Sequence, residues 1–426
     1  MPSLCVLPNF SSWELDTKPL GTIYQALASK KTLTSLTLKF PSKRIPRPTT
    51  LIPPIPSLKS IYLYNIDPLC YPDDVSLLFA GSPILEEMKI EWNPRIRRER
   101  EPSISLSQYF GRAVSSKVCL PIKRVAYKNM YTRNDPHLSL IIDIPKVESV
   151  TLLNCMNPGD PSTVFYDDTW RGGPNGLTKL KSLKKLRLDV VPDDMPPVIA
   201  EISGLEEFYL VSRHPTTSES NSTSTDGSPI ANPNSGASAR TGEDSTPTTP
   251  LTPYHVSSVA IASDFLAAIS GNHGSSLKIL LLSDEWRFSK DVLINLVKSC
   301  LNLEQLGVAV EGAQFDTVRA LLLHRPSIWA FRILEAFGPR LHIRDRTQAL
   351  GETSHHMKSG IMNREFAKVE YKNLRYFGLA DMPFEVGRMM MDCSGDSPIE
   401  RRAVKVLTWD EAKKMAEIFG LDSMEL

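Results

Sequence analysis

The sequence has 426 residues, and 49 Lys and Arg against 48 Asp and Glu give a formal net charge of +1. This balance argues against a general nucleic-acid binder, which needs a basic surface, and 41% hydrophobic residues are too many for a wholly disordered protein. No apolar run approaches the roughly 18 residues of a membrane span, and the first residues carry no signal-peptide pattern. We therefore expect a cytoplasmic or nuclear protein that uses neither a membrane nor a specific nucleic acid.

Three apolar residues at positions i, i+3 and i+5 recur along the chain, a pattern that suits a short buried strand. One match alone carries no weight, because apolar residues are common. The spacing is informative, since five of the eleven steps between successive leading residues are 25 to 27 residues long. The twelve leading residues are Leu33, Leu58, Leu85, Ile122, Val147, Leu183, Leu205, Leu277, Leu303, Ile328, Leu374 and Val404.

Helical patterns lie between several of these strands, for example at residues 72–80 and 291–299. In the second of these, Val292, Leu296 and Val297 are expected on the buried side of the helix. A unit of one strand and one helix cannot bury its own apolar face, whereas stacked units can. The sequence therefore predicts an α/β fold in which the units stack into a solenoid with parallel strands.

The longest step contains residues 214–258, where 19 of the 45 residues are Ser or Thr and 6 are Pro. Such a segment buries too little apolar surface to offset its ordering entropy, so we predict a disordered insert. Residues 1–213 and 259–409 are then two parts of the same solenoid, and the second part contains a polar loop at residues 340–367. Residues 410–426 are predicted to form a C-terminal capping helix and tail.

The period and the strand pattern, from about Leu20 to Trp409, resemble leucine-rich repeats of the ribonuclease-inhibitor type. This resemblance implies an irregular horseshoe with parallel strands on its concave face and helices or loops outside. That family usually has Asn or Cys three residues after the last strand Leu, and here only Asn93 and Cys155 fit. The repeats are therefore degenerate.

The closing residues, ERRAVKVLTWDEAKKMAEIFGLDSMEL, resemble the ends of fungal F-box proteins with degenerate leucine-rich repeats. The resemblance implies a substrate receptor of a ubiquitin ligase. The F-box pattern itself is missing, because the only early Leu-Pro pair, Leu7-Pro8, is followed by Asn9-Phe10. Either the protein has no F-box or the sequence starts downstream of it. An alternative is a regulator resembling the leucine-rich-repeat Ran GTPase-activating proteins, although the Arg or Asn loop that it needs is not located.

The sequence contains no common catalytic motif, and we expect a protein without enzymatic activity, cofactor or metal site. The nearest match is a Gly-Asp-Ser sequence that ends at Ser397, but it has no matching His and Asp context. A hydrolase that uses Ser397 is the alternative from the enzyme class. His342, His355 and His356 could bind a metal, but they lie in one polar loop, where solvated histidines are favoured over a metal site.

The predicted binding surface follows from the alternation of side chains along each strand. If i+3 and i+5 face the core, then i+2, i+4 and i+6 face the concave surface. In the first half these positions mix charge with tyrosine, and Tyr and Arg are frequent interface anchors. In the second half these positions hold only small or apolar residues, namely Ile279, Leu281, Gly307, Ala309, Ala330 and Leu334. The predicted partner-binding residues are Lys39, Tyr62, Tyr64, Glu87, Lys89, Glu91, Arg124, Lys128, Lys185, Arg187, Asp189, Glu207 and Tyr209.

The basic members of this set predict a protein partner with an acidic or phosphorylated segment, bound by a chain that is otherwise monomeric. The insert suggests a second point of regulation, because Ser228, Thr246, Thr249 and Thr252 each precede a proline. Phosphorylation at such sites adds about −1.5 to −2 charges each. The alternative is a passive loop, since any segment of this composition produces such pairs.

Overall fold

The structure is a computed structural model. It separates into one unit of residues 1–212 and 256–426 and a second of residues 213–255. The described residues leave out the second unit and the whole predicted insert, with its four phosphorylation candidates. They also leave out Ser397 and residues 340–361 of the polar loop. The described residues are 4–7, 10–14, 21–40, 51–67, 69, 72–99, 101, 105–132, 138–156, 180–191, 195–211, 259–312, 314–334, 362–380, 382–392 and 399–426.

The first unit is α/β, and its described strands form one open sheet of 16 strands whose order follows the chain. Pairing is parallel along the path from β2 to β14, and antiparallel between β1 and β2 and from β14 to β16. The short β11 lies off this path and pairs in parallel with β12. The strands are β1 (Leu4–Leu7), β2 (Phe10–Glu14), β3 (Ser35–Lys39), β4 (Ser60–Ile66), β5 (Glu87–Trp92), β6 (Arg124–Lys128), β7 (Ser149–Leu153), β8 (Lys185–Leu188), β9 (Glu207–Leu210), β10 (Ile279–Leu281), β11 (Arg287–Phe288), β12 (Gln305–Val310), β13 (Ala330–Leu334), β14 (Tyr376–Leu379), β15 (Met382–Asp392) and β16 (Ile399–Val406).

Helices and 3-10 turns connect many of the parallel strands, and the buried residues of several belong to the same core cluster as the strands. The α-helices are α1 (Gly21–Ala28), α2 (Pro72–Ala80), α3 (Arg95–Arg98), α4 (Gly111–Ser115), α5 (Leu138–Ile141), α6 (Met195–Glu201), α7 (Val259–His273), α8 (Lys290–Ser299), α9 (Gln314–His324), α10 (Trp409–Met415) and α11 (Glu417–Gly420). The 3-10 helices are Leu106–Phe110, Ile144–Lys146 and Val369–Tyr371.

The recurring apolar pattern forms the main core. In the first eleven predicted units every residue at i, i+3 and i+5 is buried, except Leu379, which is partly buried. In-register pairing stacks equivalent positions, so that Ile61 lies between Leu36 and Met88 in neighbouring strands. Strand β9 pairs directly with β10, although the predicted insert separates them in the sequence. The two stretches of the repeat therefore build one sheet.

The twelfth predicted unit is wrong. Val404 lies in β16, which pairs antiparallel with β15, and Trp409 begins α10 rather than ending a strand. The prediction for α8 also needs correction, because Leu293 is buried while Val292 is 42% exposed. Both errors arise because a one-residue shift or a change of strand direction leaves a similar local apolar spacing.

Asparagines adopt the left-handed backbone conformation, which Asn tolerates better than most residues, at the last-but-one residue of β4 and directly after β6 and β7. Asn65, Asn129 and Asn154 have φ values of 60°, 59° and 54°. The Asn65 amide donates to the carbonyl of Phe40 at 2.9 Å, and the Asn154 amide donates to Asn129 Oδ1 at 2.7 Å. These side chains thus link successive units at the carboxyl ends of the strands.

Candidate partner-binding face

Side chains at i+2 and i+4 project from the sheet face opposite the main core. In-register pairing aligns them into two rows that cross the parallel sheet. The i+4 row is Thr37, Tyr62, Lys89, Ala126, Thr151, Arg187, Tyr209, Leu281, Gly307, Arg332 and Gly378. The i+2 row is Ser35, Ser60, Glu87, Arg124, Ser149, Lys185, Glu207, Ile279, Gln305, Ala330 and Tyr376.

Most of the predicted binding residues are accessible on this face. We call the side chains that β3 to β7 place there the open face, and Lys185 and Glu207 lie at its border. The exposed or partly exposed members of the predicted set are Lys39, Tyr62, Tyr64, Glu87, Lys89, Glu91, Arg124, Lys128, Lys185 and Glu207. Arg187, Asp189 and Tyr209 are only 3%, 2% and 0% exposed. These three are therefore not available as surface contacts.

The C-terminal segment, residues 407–426, covers the part of the sheet formed by β9 to β13, which we call the covered face. Its Leu407, Ala412, Ala416, Ile418 and Phe419 are buried in a second apolar cluster. The sheet contributes Tyr209, Ile279, Leu281, Ala309, Ala330 and Leu334 to the same cluster. The small and apolar residues that the second half places on this face therefore form an internal packing surface and not a surface for a partner. Burial of apolar side chains, worth roughly 1.5–3 kcal/mol for each large one, holds the segment there.

Arg187 anchors the end of this segment. Its guanidinium donates to the carbonyl of Leu421 at 3.0 Å, to that of Glu425 at 2.8 Å and to that of Ser423. Burial lowers the pKa of Arg187 to about 10, against the opposing effect of the Asp422 carboxylate. A buried guanidinium is stable only when its donors are satisfied. Arg187 therefore has a structural role, in place of the predicted contact with a partner.

Arg332 provides a second anchor. It forms an ion pair with Asp422 Oδ2 at 2.7 Å, and the two side chains are 7% and 1% exposed. It also donates to the carbonyl of Ile418 at 3.2 Å, and it lies 4.9 Å from the centre of the Trp409 ring. Removing one member of such a buried pair leaves an uncompensated charge. The segment is therefore fixed by charge as well as by apolar packing.

Close contact between the segment and the sheet requires a glycine at position 378. A Cβ atom there would lie 2.7 Å from Phe419 Cε1 and 2.9 Å from Arg332 Cγ. The Phe419 ring occupies this space, and its centre is 5.9 Å from that of Trp409.

The two other buried residues also have internal partners. Asp189 accepts a hydrogen bond from the backbone N–H of Asn154 at 2.9 Å, which ties it to the turn after β7. Tyr209 donates to Glu207 at 2.9 Å, and burial raises its pKa. Alternation along the strand places Tyr209 on the correct face but gives no information about what covers that face.

Most charges on the open face are compensated by a neighbour on the next strand. Opposite charges on adjacent strands stabilise a sheet modestly and leave little net field. The pairs are Arg124 with Glu87 at 2.9 Å, Lys128 with Glu91 at 3.0 Å, and Lys185 with Glu207 at 2.7 Å.

A further row of charges stands directly before the strands, at position i+1, and alternates in sign across eight of them. Two of its pairs are close, with Lys123 3.3 Å from Glu86 and Lys278 2.6 Å from Glu206. These alternating charges recur in the sequence at the repeat spacing and could have been found there, but the predicted binding residues do not include them. The row is Lys59, Glu86, Lys123, Glu148, Lys184, Glu206, Lys278 and Glu304.

Lys89 differs from the other cations of the open face. Its ammonium lies 4.9 Å from the centre of the Tyr62 ring, and no carboxylate among the described residues forms an ion pair with it. Burial lowers the pKa of Lys89. Glu87 opposes this shift, and the neighbouring cations, with Arg187 the largest, add to it. An anion beside Lys89 would relieve this repulsion.

A pocket of about 220 Å³ opens beside Lys89. Its lining includes three small side chains. Ala126 and Thr151 lie in the i+4 row between Lys89 and Arg187, and Ser149 lies in the i+2 row between Arg124 and Lys185. Sequence reasoning missed these three residues because it selected large and charged side chains. A gap of small residues between long basic ones was the available signal.

Within the described part of the chain, no group of three His, Cys, Asp or Glu side chains is placed to hold a metal ion. None of the helices there combines the length and the apolar character needed to cross a bilayer. The sequence matches no known protein-family model, and no curated protein is found to match it.

Proposed function

We propose that this chain is a non-enzymatic recognition scaffold of the leucine-rich-repeat type, which binds an acidic segment of a partner protein on its open face. One observation carries the proposal. Three adjacent strands of that face, β4 to β6, present two tyrosines and three basic side chains that are accessible together: Tyr62, Tyr64, Lys89, Arg124 and Lys128. Tyrosine and arginine supply large contact area, and the basic groups complement acidic side chains.

The leucine-rich-repeat assignment, with its solenoid and its concave strand face, is part of this proposal. It is supported by the eleven predicted strands from β3 to β14, which follow each other in chain order and pair in parallel, with five of the ten steps between them 25 to 27 residues long. It is also supported by the asparagines that link successive turns after the strands, such as Asn129 and Asn154. Rigid parallel strands suit recognition, because they hold side chains from distant parts of the sequence in a fixed arrangement.

The test is a double charge reversal on the open face, Arg124→Glu with Lys128→Glu. The control is Lys290→Glu with Lys298→Glu, which changes the same charge on exposed residues of α8. Partners are first identified by affinity purification of the wild-type chain from its native source, and their affinity is then measured with purified proteins. We expect the open-face variant to bind at least about tenfold more weakly, or about 1.4 kcal/mol, and the control to bind normally. Equal affinities for both variants would refute the open face as the binding surface.

Arg187→Glu, a natural choice from the sequence, is unsuitable for this test. It would place a buried carboxylate against the carbonyls of the C-terminal segment, so that any loss of binding would report damage to the fold.

The resemblance to F-box proteins extends the proposal to delivery of the bound protein to a ubiquitin ligase. The chain should then co-purify with a ligase adaptor subunit, and its loss should lengthen the half-life of the partner. A partner with an unchanged half-life and no adaptor in the purified complex would remove the ligase role and leave recognition alone. No feature of the described residues favours the GTPase-regulator or hydrolase alternatives.

A further inference from the structure

The alternating charges at position i+1, which we call the i+1 row, are held in place by the backbone. Each member from Glu86 to Glu304 donates its backbone N–H to the carbonyl of the member before it, at 2.8 Å in every case. The members therefore follow one another at the strand spacing of about 4.8 Å, and the row is about 34 Å long. All of its side chains are exposed or partly exposed. The row is thus a fixed and accessible pattern of charge.

The order of signs makes the i+1 row complementary to its own reverse. The row has an even number of members, begins with Lys59, ends with Glu304 and alternates strictly between lysine and glutamate. A two-fold axis between its fourth and fifth members, Glu148 and Lys184, would therefore place every lysine of one copy opposite a glutamate of the other. A register shifted by one member would oppose like charges. The pattern thus selects one register for a contact in which both copies use the same surface.

We infer that the i+1 row is the contact surface for a second copy of this chain, paired about a two-fold axis between Glu148 and Lys184. The inference goes beyond the proposed recognition function, and it departs from the monomer expected from the sequence. Opposite charges that meet across an interface fix its register and exclude other partners.

The chain itself leaves the centre of the row open. Among the described residues, the side chains of Glu148 and Lys184 belong to no ion pair. These are the two residues that lie next to the proposed axis, where each would meet the other's counterpart in the second copy. No existing ion pair has to break when these contacts form.

The two close ion pairs of the row lie on either side of this centre. The two-fold axis places the pair of Lys123 and Glu86 opposite the pair of Lys278 and Glu206 in the second copy. Each lysine then has one glutamate beside it and another across the interface. Networks of several charges stabilise more than isolated surface pairs do.

A trough beside the i+1 row leaves room for the side chains of a second copy. It measures about 640 Å³, and four consecutive members of the row, from Glu148 to Lys278, line it. Small polar residues of the turns before the strands form much of the remaining lining, namely Ser182, Ser203, Gly204, Ser275 and Ser276. Small residues at these positions allow the other copy to approach the row closely.

Sedimentation velocity of the full chain over a range of protein concentrations tests the inference. We expect an equilibrium between monomer and dimer that shifts towards monomer as salt is raised, because ions screen exposed charges. Lys184→Glu and Glu148→Lys should each weaken dimerisation at least about tenfold, since the two-fold axis repeats each change on both copies. Lys298→Glu makes the same charge change as Lys184→Glu on an exposed residue of α8 and should dimerise normally.

An equal mixture of Lys184→Glu and Glu148→Lys separates a contact between copies from damage within one chain. In a mixed dimer the two reversed side chains meet across the axis, and so do the two unchanged ones, so every contact at the centre is again between opposite charges. The mixture should regain most of the affinity that each variant loses alone. A defect of folding within one chain could not be repaired in this way.

The inference is overturned if the wild-type chain stays monomeric at low salt, or if either variant dimerises like the wild type. It is also overturned if the mixture associates no more tightly than the variants alone. Melting temperatures of the variants confirm that they are folded. No partner protein takes part in these measurements, so their failure would leave recognition by the open face untouched.

Discussion

Phe419→Ala tests whether the C-terminal segment is a fixed part of the protein. Phe419 is 1% exposed, and its ring packs beside Trp409 and fills the space above Gly378. Loss of a buried Phe side chain costs about 3–5 kcal/mol, because the transfer free energy is lost and a cavity remains. The segment has few other large buried side chains, so most of this loss should appear as release of the segment and not as global unfolding.

Hydrogen exchange followed by mass spectrometry is the suitable assay, since it reports the free energy of local opening. A loss of about 3 kcal/mol shifts the opening equilibrium by more than 100-fold, so protection in residues 409–420 should fall by at least that factor. Met415→Ala is the control, because Met415 is 49% exposed on the same short segment. A change below about tenfold in Phe419→Ala would refute the structural role given to the segment.

Three further substitutions test neighbouring features. Burial lowers the pKa of His273, so the unfolded state takes up a proton first below about pH 6.5 and stability falls towards pH 5; His273→Gln should flatten this fall in urea unfolding, whereas exposed His324→Gln should not. Gly378→Ala should release the C-terminal segment to protease at a cost of about 1–3 kcal/mol, because its Cβ would meet Phe419. Thr408→Ala removes the capping box of α10 and should lower protection there by about 1 kcal/mol.

The parallel core could be predicted because burial imposes the same spacing on every unit. Leu58, Ile61 and Leu63 are all 0% exposed, and Met88 and Ile90 of the next strand pair in register with Ile61 and Leu63. A repeat of this kind is redundant, so that an error in one unit does not displace the others. The redundancy ends at β15 and β16, where the strands turn antiparallel and no neighbouring unit supports the assignment.

The candidate site was only half predictable, for a different reason. Alternation along a strand assigns each side chain to a face, but contacts between residues more than 200 positions apart decide whether the face is exposed. Arg187 illustrates this, because its partners lie at Leu421 and beyond. One signal did exist: Ile279 and Leu281 are apolar at positions where solvated residues were expected, and an apolar surface of this size is rarely left open.

The division of the sheet face has a consequence for where a partner can bind. The open face keeps its charges accessible in cross-strand pairs, while the covered face is mainly apolar and holds the C-terminal segment. The Lys89 pocket lies where these two regions meet, and it takes its cations from the first and its wall from the second. A substitution that releases the segment should therefore alter the Lys89 pocket as well, although no residue that supplies its charge has changed. Phe419→Ala should consequently weaken binding of an identified partner to the open face, while Met415→Ala binds normally, and an unchanged affinity in Phe419→Ala would show that binding does not depend on the segment.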